Sequence, residues 1–299
     1  MNHTPLIAAE QLQTLMKNGQ PLRIFDCSFE LMQPHAGRQQ YLDAHIPGAI
    51  YADLETALSA RHGMPGAHGV LTAAGADAPA SGGRHPLPNR ERFATWLSSV
   101  GMGNGMQAVV YDRSGANYCG RLWWMLKWAG HDAVAVLDGG WQAWQAAGGA
   151  VSSGEEPTHF QASFLPESEL ARLVDAQAVT SQLGSPAQTL IDARATARFR
   201  GDSEPVDPVA GHISGALNRP FGDNLLPDGK FKPAAQLKAE FLSLLGARDP
   251  STVVHYCGSG VSALTNLVAM EIAGLGQTAL YAGSWSDWCR DPQRPVGKG

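Results

Sequence analysis

The sequence has only four cysteines among its 299 residues and no CxxC pair. Cys27, Cys119, Cys257 and Cys289 are too scattered for a zinc site or a disulfide framework. The question they leave is whether any one of them is reactive. Basic runs are missing too. The 22 Lys and Arg and 27 Asp and Glu are spread along the chain, for a net charge of -5, which leaves no electrostatic footprint for nucleic acid. No apolar stretch approaches the roughly 20 residues that span a bilayer. The opening MNHTPLIAAEQLQTLMKNGQ lacks a basic segment followed by an apolar core and a small-residue cleavage site, and reads as an amphipathic helix. These absences predict a cytoplasmic protein with no nucleic-acid or membrane partner. What is present is a composition of 44% hydrophobic and 16% charged residues with 34 Gly and 19 Pro, which predicts a folded chain rich in turns. The length suits two domains of ordinary size.

The chain repeats itself. HIPGA at 45–49 returns as HISGA at 212–216. LRIFDCS at 22–28 parallels TLIDARA at 189–195, each an apolar run reaching an Asp. AVVYDRSGA at 108–116 parallels TVVHYCGSG at 252–260, and LDGGWQAW at 137–144 parallels YAGSWSDW at 281–288. Landmarks recurring in the same order, His45 and His212 being 167 residues apart and Asp26 and Asp192 166, mark two copies of one unit. The predicted division is a first domain over 1–148, a polar linker rich in Gly and Ser over 149–165, and a second domain over 166–299.

Within each copy, short apolar runs alternate with helix-like segments. LRIFD, AVVYD and AVAVLD read as buried strands, as do TLID, TVVHYC and TALYAG. ERFATWLSSV, CGRLWWMLKWAG and VSALTNLVAMEIAG carry apolar residues at helical spacing. The predicted fold class is α/β, each domain a parallel sheet flanked by helices on both faces. Trp123, Trp124, Trp128, Trp141 and Trp144 read as core and inter-domain packing. GMGNG at 101–105 precedes a strand rather than following one, so it is no dinucleotide loop.

Ligands of an open parallel sheet bind beyond the carboxyl ends of its strands. Cys257 stands there, between the strand TVVHY and a helix opening near Val261. Gly258 and Gly260 let the intervening turn curl its N–H groups inward, and the helix adds the partial positive charge of its N-terminus. Both effects favour negative charge on the sulfur. Cys27, Cys119 and Cys289 lack this setting and read as small buried hydrophobes. His45 and His212 recur in both copies and read as structural. His85 has no counterpart. A cysteine phosphatase needs an arginine in such a loop to hold phosphate, and GSGVSAL at 258–264 contains none.

HIPGA, LDGGWQAW, DARATARFRG and the loop from Cys257 to Ala263 together resemble the tandem-domain rhodaneses over nearly the whole chain, and the loop resembles that of the mercaptopyruvate sulfurtransferases. The resemblance implies two rhodanese-like domains, the second catalytic and the first inactive, with Asp112 where the second has Cys257. It implies a sulfurtransferase that needs no cofactor or metal and carries sulfur as a Cys257 persulfide from a small-molecule donor to a thiol, thioredoxin or cyanide. Ser259, His85 and Glu55 would form a proton relay. Arg198, in RFRG, would meet the donor carboxylate, with Gly258, Gly260, Val261 and Ser262 completing the binding loop. The second arginine that such enzymes place shortly after RFRG is missing from GDSEPVDPVAGH, leaving Arg200 and Arg219 as substitutes to consider. Thiosulfate sulfurtransferases carry basic residues directly after the cysteine, whereas Gly258 and Ser259 are neutral, so mercaptopyruvate is the expected donor and thiosulfate the alternative. A rhodanese-like module used only for protein contact would have no need of an intact cysteine loop.

Overall fold

The computed structural model describes residues 3–60, 78–157 and 162–299, so positions 158–161 of the linker read from sequence lie outside the described residues. Two compact units emerge. The first takes Met1–Ala80, Leu87–Leu170 and Asp228–Lys230, and the second takes Ser81–Pro86, Ala171–Pro227 and Phe231–Gly299. Six residues from the first half of the sequence, Ser81–Pro86, therefore pack as part of the second unit.

In the first unit the elements run β1 (Leu6–Ile7), α1 (Ala9–Lys17), β2 (Leu22–Asp26), α2 (Ala36–Asp43), β3 (Ala49–Tyr51), α3 (Arg90–Ser99), β4 (Gln107–Tyr111), α4 (Cys119–Trp128), β5 (Val134–Leu137) and α5 (Gly140–Ala146). All strand pairs are parallel, in the order β1-β5-β4-β2-β3. In the second unit they run β6 (Arg172–Val174), α6 (Ala176–Ser181), β7 (Thr189–Asp192), α7 (Thr196–Arg200), β8 (His212–Ile213), β9 (Leu217–Asn218), α8 (Ala234–Leu245), β10 (Val253–Tyr256), α9 (Ala263–Ile272), β11 (Ala279–Tyr281), α10 (Ser284–Trp288) and β12 (Val296–Gly297). The sheet order β6-β11-β10-β7-β9 repeats the first, again parallel, and β8 and β12 add a small antiparallel ribbon. The six strands read from sequence are present. The edge strands β1 and β6, and the short β3 and β9, are too brief to show a period.

The central strands are largely apolar because both faces of the sheet are covered. Every residue of β4 and β10 is buried, and α4 is buried along its whole length. All five tryptophans singled out from the sequence lie in the first unit's interior. The shared landmarks serve as ties. Ile46 of HIPGA donates its N–H to the Tyr111 hydroxyl at 3.1 Å, and Ile213 of HISGA donates to the Tyr256 hydroxyl at 3.0 Å. His45 stacks on Tyr41 and donates from Nδ1 to its carbonyl, while His212 does the same with Phe199. Asp26 and Asp192, ending β2 and β7, are buried against an arginine whose guanidinium stacks at 4.8 Å on a tryptophan of the WxxW motif. These are Arg113 on Trp141 in one unit and Arg194 on Trp285 in the other. The two arginines come from different loops, which is why sequence alignment of the copies does not reveal the match.

Candidate active site

Cys257 follows β10 directly, at the carboxyl end of the central strand, and is 2% exposed. The turn from Gly258 to Ser262 leads into α9. It is pinned from behind: Cys257 N–H donates to Ser284 Oγ, and the carbonyls of Cys257 and Gly258 accept the N–H groups of Trp285 and Ser286. Gly260 holds φ +71°, and a Cβ there would lie 2.3 Å from the Ala282 carbonyl oxygen, so only glycine fits. The N–H of buried Val261 points back at Cys257 Sγ, 3.3 Å away. Ser262 sits at the start of α9.

The first unit builds the same loop around an anion of its own. Asp112, which follows β4 and is 1% exposed, accepts backbone N–H groups from Ser114 (2.8 Å) and Ala116 (3.1 Å) on Oδ1, and from Tyr118 (2.8 Å) and Cys119 (2.9 Å) on Oδ2. Ala116 and Val261 occupy the same place, four residues after Asp112 and Cys257. The loop is thus a cradle for negative charge, filled in one unit by a carboxylate and presenting a sulfur in the other.

The remaining cysteines are chemically quiet. Burial pushes the Cys27 thiol well above its usual range, with Asp26 and Asp112 adding to the effect. Burial and Asp112 do the same at Cys119, and burial and Asp207 raise Cys289. All three stay protonated at neutral pH, and the protonated thiol is not the nucleophilic form.

The structure brings Ser259 and His85 together. Ser259 Oγ lies 2.8 Å from His85 Nδ1, with both side chains buried. They are 174 positions apart, and His85 arrives on the Ser81–Pro86 segment that packs into the second unit. That segment is held close to α10. A Cβ on Gly83, at φ +88°, would stand 2.5 Å from the Gly283 carbonyl oxygen, and Arg84 N–H donates to Ser286 Oγ at 3.0 Å. Gly83→Ala should therefore push the segment outward and separate His85 from Ser259. The expected result is at least about a tenfold fall in kcat/KM with the unfolding midpoint changed little, measured by steady-state kinetics and urea melts. Glu55 stands in the first unit, exposed, its N–H donating to Asp53.

Arg198 lies in the last turn of α7, and its guanidinium is gripped by Glu204, with Nε at 3.2 Å and Nη2 at 2.6 Å. Burial alone would raise the Glu204 carboxyl, but Arg198 and the N–H groups of Asp207 and Val206 outweigh it and hold the group below the usual carboxylate range. Asp207 bridges two cations, accepting from Arg198 Nη2 at 3.2 Å and from Arg84 Nη1 at 2.7 Å. A Cβ on Gly258 would lie 3.2 Å from Arg84 Nη2 and 3.6 Å from Arg198 Nη1. Gly258 and Ser259 are themselves neutral, as the sequence has them, and two guanidinium groups stand beside Gly258 in space. Arg219 is spoken for elsewhere, bonded to Asn224 and Glu240 over the Phe241 ring, and Arg200 is exposed. Arg84, Glu204 and Asp207 escaped the sequence reading. The available signal was the Gly82-Gly83 pair next to His85, a mark of close backbone approach.

Among the described residues, no group of His, Cys, Asp and Glu is arranged to hold a metal, and no helix is long and apolar enough to cross a membrane. A profile of the rhodanese-like domain matches residues 8–147 and 175–291. The chain is 44% identical over 303 residues to a probable 3-mercaptopyruvate sulfurtransferase of Pseudomonas aeruginosa, covering 100% of both chains. It is 39% identical to a putative thiosulfate sulfurtransferase of Mycobacterium tuberculosis over 98% of this chain and 97% of that one. Among solved structures, the 3-mercaptopyruvate sulfurtransferase from Leishmania major superposes with a TM-score of 0.81 at 30% identity, covering 98% of this chain and 77% of that one.

Proposed function

Because this chain belongs to the rhodanese family, with a rhodanese-like domain in each half, we propose that it transfers sulfane sulfur from mercaptopyruvate, through a persulfide on Cys257, to a thiol, thioredoxin or cyanide. The observation that carries this reading is the Cys257 loop itself: a sulfur at the strand end, facing an inward N–H, with a buried Ser259–His85 pair in the same unit. The Cys257 thiolate attacks the donor sulfur. The donor's C–S bond breaks, and its electron pair passes to the carbon next to the ketone as an enolate. Proton delivery by Ser259 and His85 then releases pyruvate. Cys257 is left as the persulfide, its terminal sulfur suited to the cradle that holds a carboxylate in the first unit. An acceptor thiolate takes that sulfur and returns Cys257 to the thiolate, while cyanide would leave as thiocyanate. Arg198 holds the donor carboxylate.

Thiosulfate is the second reading, and one observation favours it: the guanidinium groups beside Gly258 supply the cationic surroundings that a small dianion needs. The two acids gripping those arginines, Glu204 and Asp207, offset that charge and weigh toward a monocarboxylate donor. The discriminating experiment is a comparison of kcat/KM for the two donors, with mercaptopyruvate expected to lead. Arg198→Ala should lower kcat/KM for mercaptopyruvate by one to two decades, about 1.5–3 kcal/mol for a charge-assisted contact, and lower it less for thiosulfate. Higher efficiency of the wild type with thiosulfate would reverse the donor assignment.

A further inference from the structure

We propose that Arg84 is the second donor-binding cation of this site, closing with Arg198 on the donor carboxylate and standing in for the arginine missing after RFRG. The inference deepens the mercaptopyruvate reading and rests on it. On Arg198, Nε and Nη2 are taken by Glu204 and Asp207. On Arg84, Nη1 is taken by Asp207. Among the described residues Arg84 Nη2 and Arg198 Nη1 donate no hydrogen bond, and these are the atoms nearest Gly258. Arg84 Nε is buried with no partner. A guanidinium carries five N–H donors in a rigid fork, so one edge can be anchored while the other is presented. Here the anchored edges face Asp207 and Glu204, whose side chains are 4% exposed, and the presented edges flank the residue that follows Cys257.

The arrangement has a clear electrostatic logic. Two guanidinium groups this close repel each other, and Asp207, with one oxygen on each, offsets the repulsion and sets their spacing. A carboxylate placed over Gly258 accepts one N–H from each arginine and completes the set. Any side chain at 258 would fill that space, which explains the glycine. Arg194 and Arg219 do not compete for the role: Arg194 is bonded to Asp192 and Glu204, and Arg219 to Asn224 and Glu240. Arg84 is also well placed by its backbone, since its N–H is fixed to Ser286 Oγ and the next residue is His85. One six-residue segment thus delivers both a binding cation and the histidine paired with Ser259.

Pyruvate has the donor's carboxylate and ketone without its sulfur, so it reads the clamp apart from turnover. The test uses the full-length protein and measures KM for mercaptopyruvate and the dissociation constant for pyruvate in wild type, Arg84→Gln and Arg84→Lys. Arg84→Gln should raise both constants about 10- to 100-fold, with the loss falling on KM more than on kcat. Arg84→Lys should recover only part of the loss, because its compact ammonium lacks the planar fork that reaches Asp207 from one nitrogen and Gly258 from another. It also carries the test if Arg84→Gln fails to fold. Wild-type KM and pyruvate affinity in either variant would overturn the proposal. If wild type turned over no mercaptopyruvate while Arg84→Gln still lost pyruvate affinity, the donor reading would fall and the clamp would stand.

Discussion

Cys257→Ser should abolish sulfur transfer, lowering kcat by about four orders of magnitude or more, as expected when a covalent nucleophile is removed. Serine fits the volume and keeps the backbone of the loop, so folding should be unaffected. Its hydroxyl neither ionises near neutral pH nor forms a persulfide. Cys27→Ser, Cys119→Ser and Cys289→Ser should keep most activity per folded molecule, because burial holds those thiols protonated. Intact-mass measurement after incubation with donor provides an independent check. Wild type and the three other variants should gain the mass of one sulfur, and Cys257→Ser should gain none. Full turnover by Cys257→Ser would remove the persulfide from the mechanism.

The second large effect is on stability, at Trp285. Its side chain is fully buried, Nε1 donates to the Val209 carbonyl at 2.8 Å, and the Arg194 guanidinium lies over its ring. Its own N–H holds the Cys257 carbonyl. Trp285→Ala would leave a cavity at the point where core and active loop meet. Truncating a buried tryptophan costs about 3–5 kcal/mol, against a typical total of about 5–15 kcal/mol. The urea midpoint of the second unit should fall by more than about 1 M, and Trp285→Phe, which keeps a ring beneath Arg194, should fall less. An unmoved midpoint for Trp285→Ala would contradict the packing described above.

The parts of the fold legible from sequence were those written in short contiguous segments. The repeat, the six central strands, the long helices and the Cys257 turn each lie within a run of about a dozen residues. Matching Asp112 to Cys257 takes a one-residue shift between two such runs, each residue following the tyrosine that ends its strand. What escaped was assembled across distance. The Asp26–Arg113 and Asp192–Arg194 pairs fill one role with arginines from different loops, so no aligned column shows it. Gly258 and Ser259 are neutral in the chain, yet Arg84 and Arg198 stand beside them, brought from 174 and 60 residues away. A sequence neighbourhood around a cysteine is therefore a poor measure of its electrostatic one. The pairing of His85 with Ser259 was carried by the family resemblance rather than by any local pattern.

In the cradle of the first unit the Asp112 carboxylate satisfies four backbone N–H groups, and a cysteine in its place would be a weak acceptor. Each buried donor left unsatisfied costs about 1–3 kcal/mol. A cysteine at 112 would therefore cost the first unit stability, whatever chemistry the sulfur could offer there.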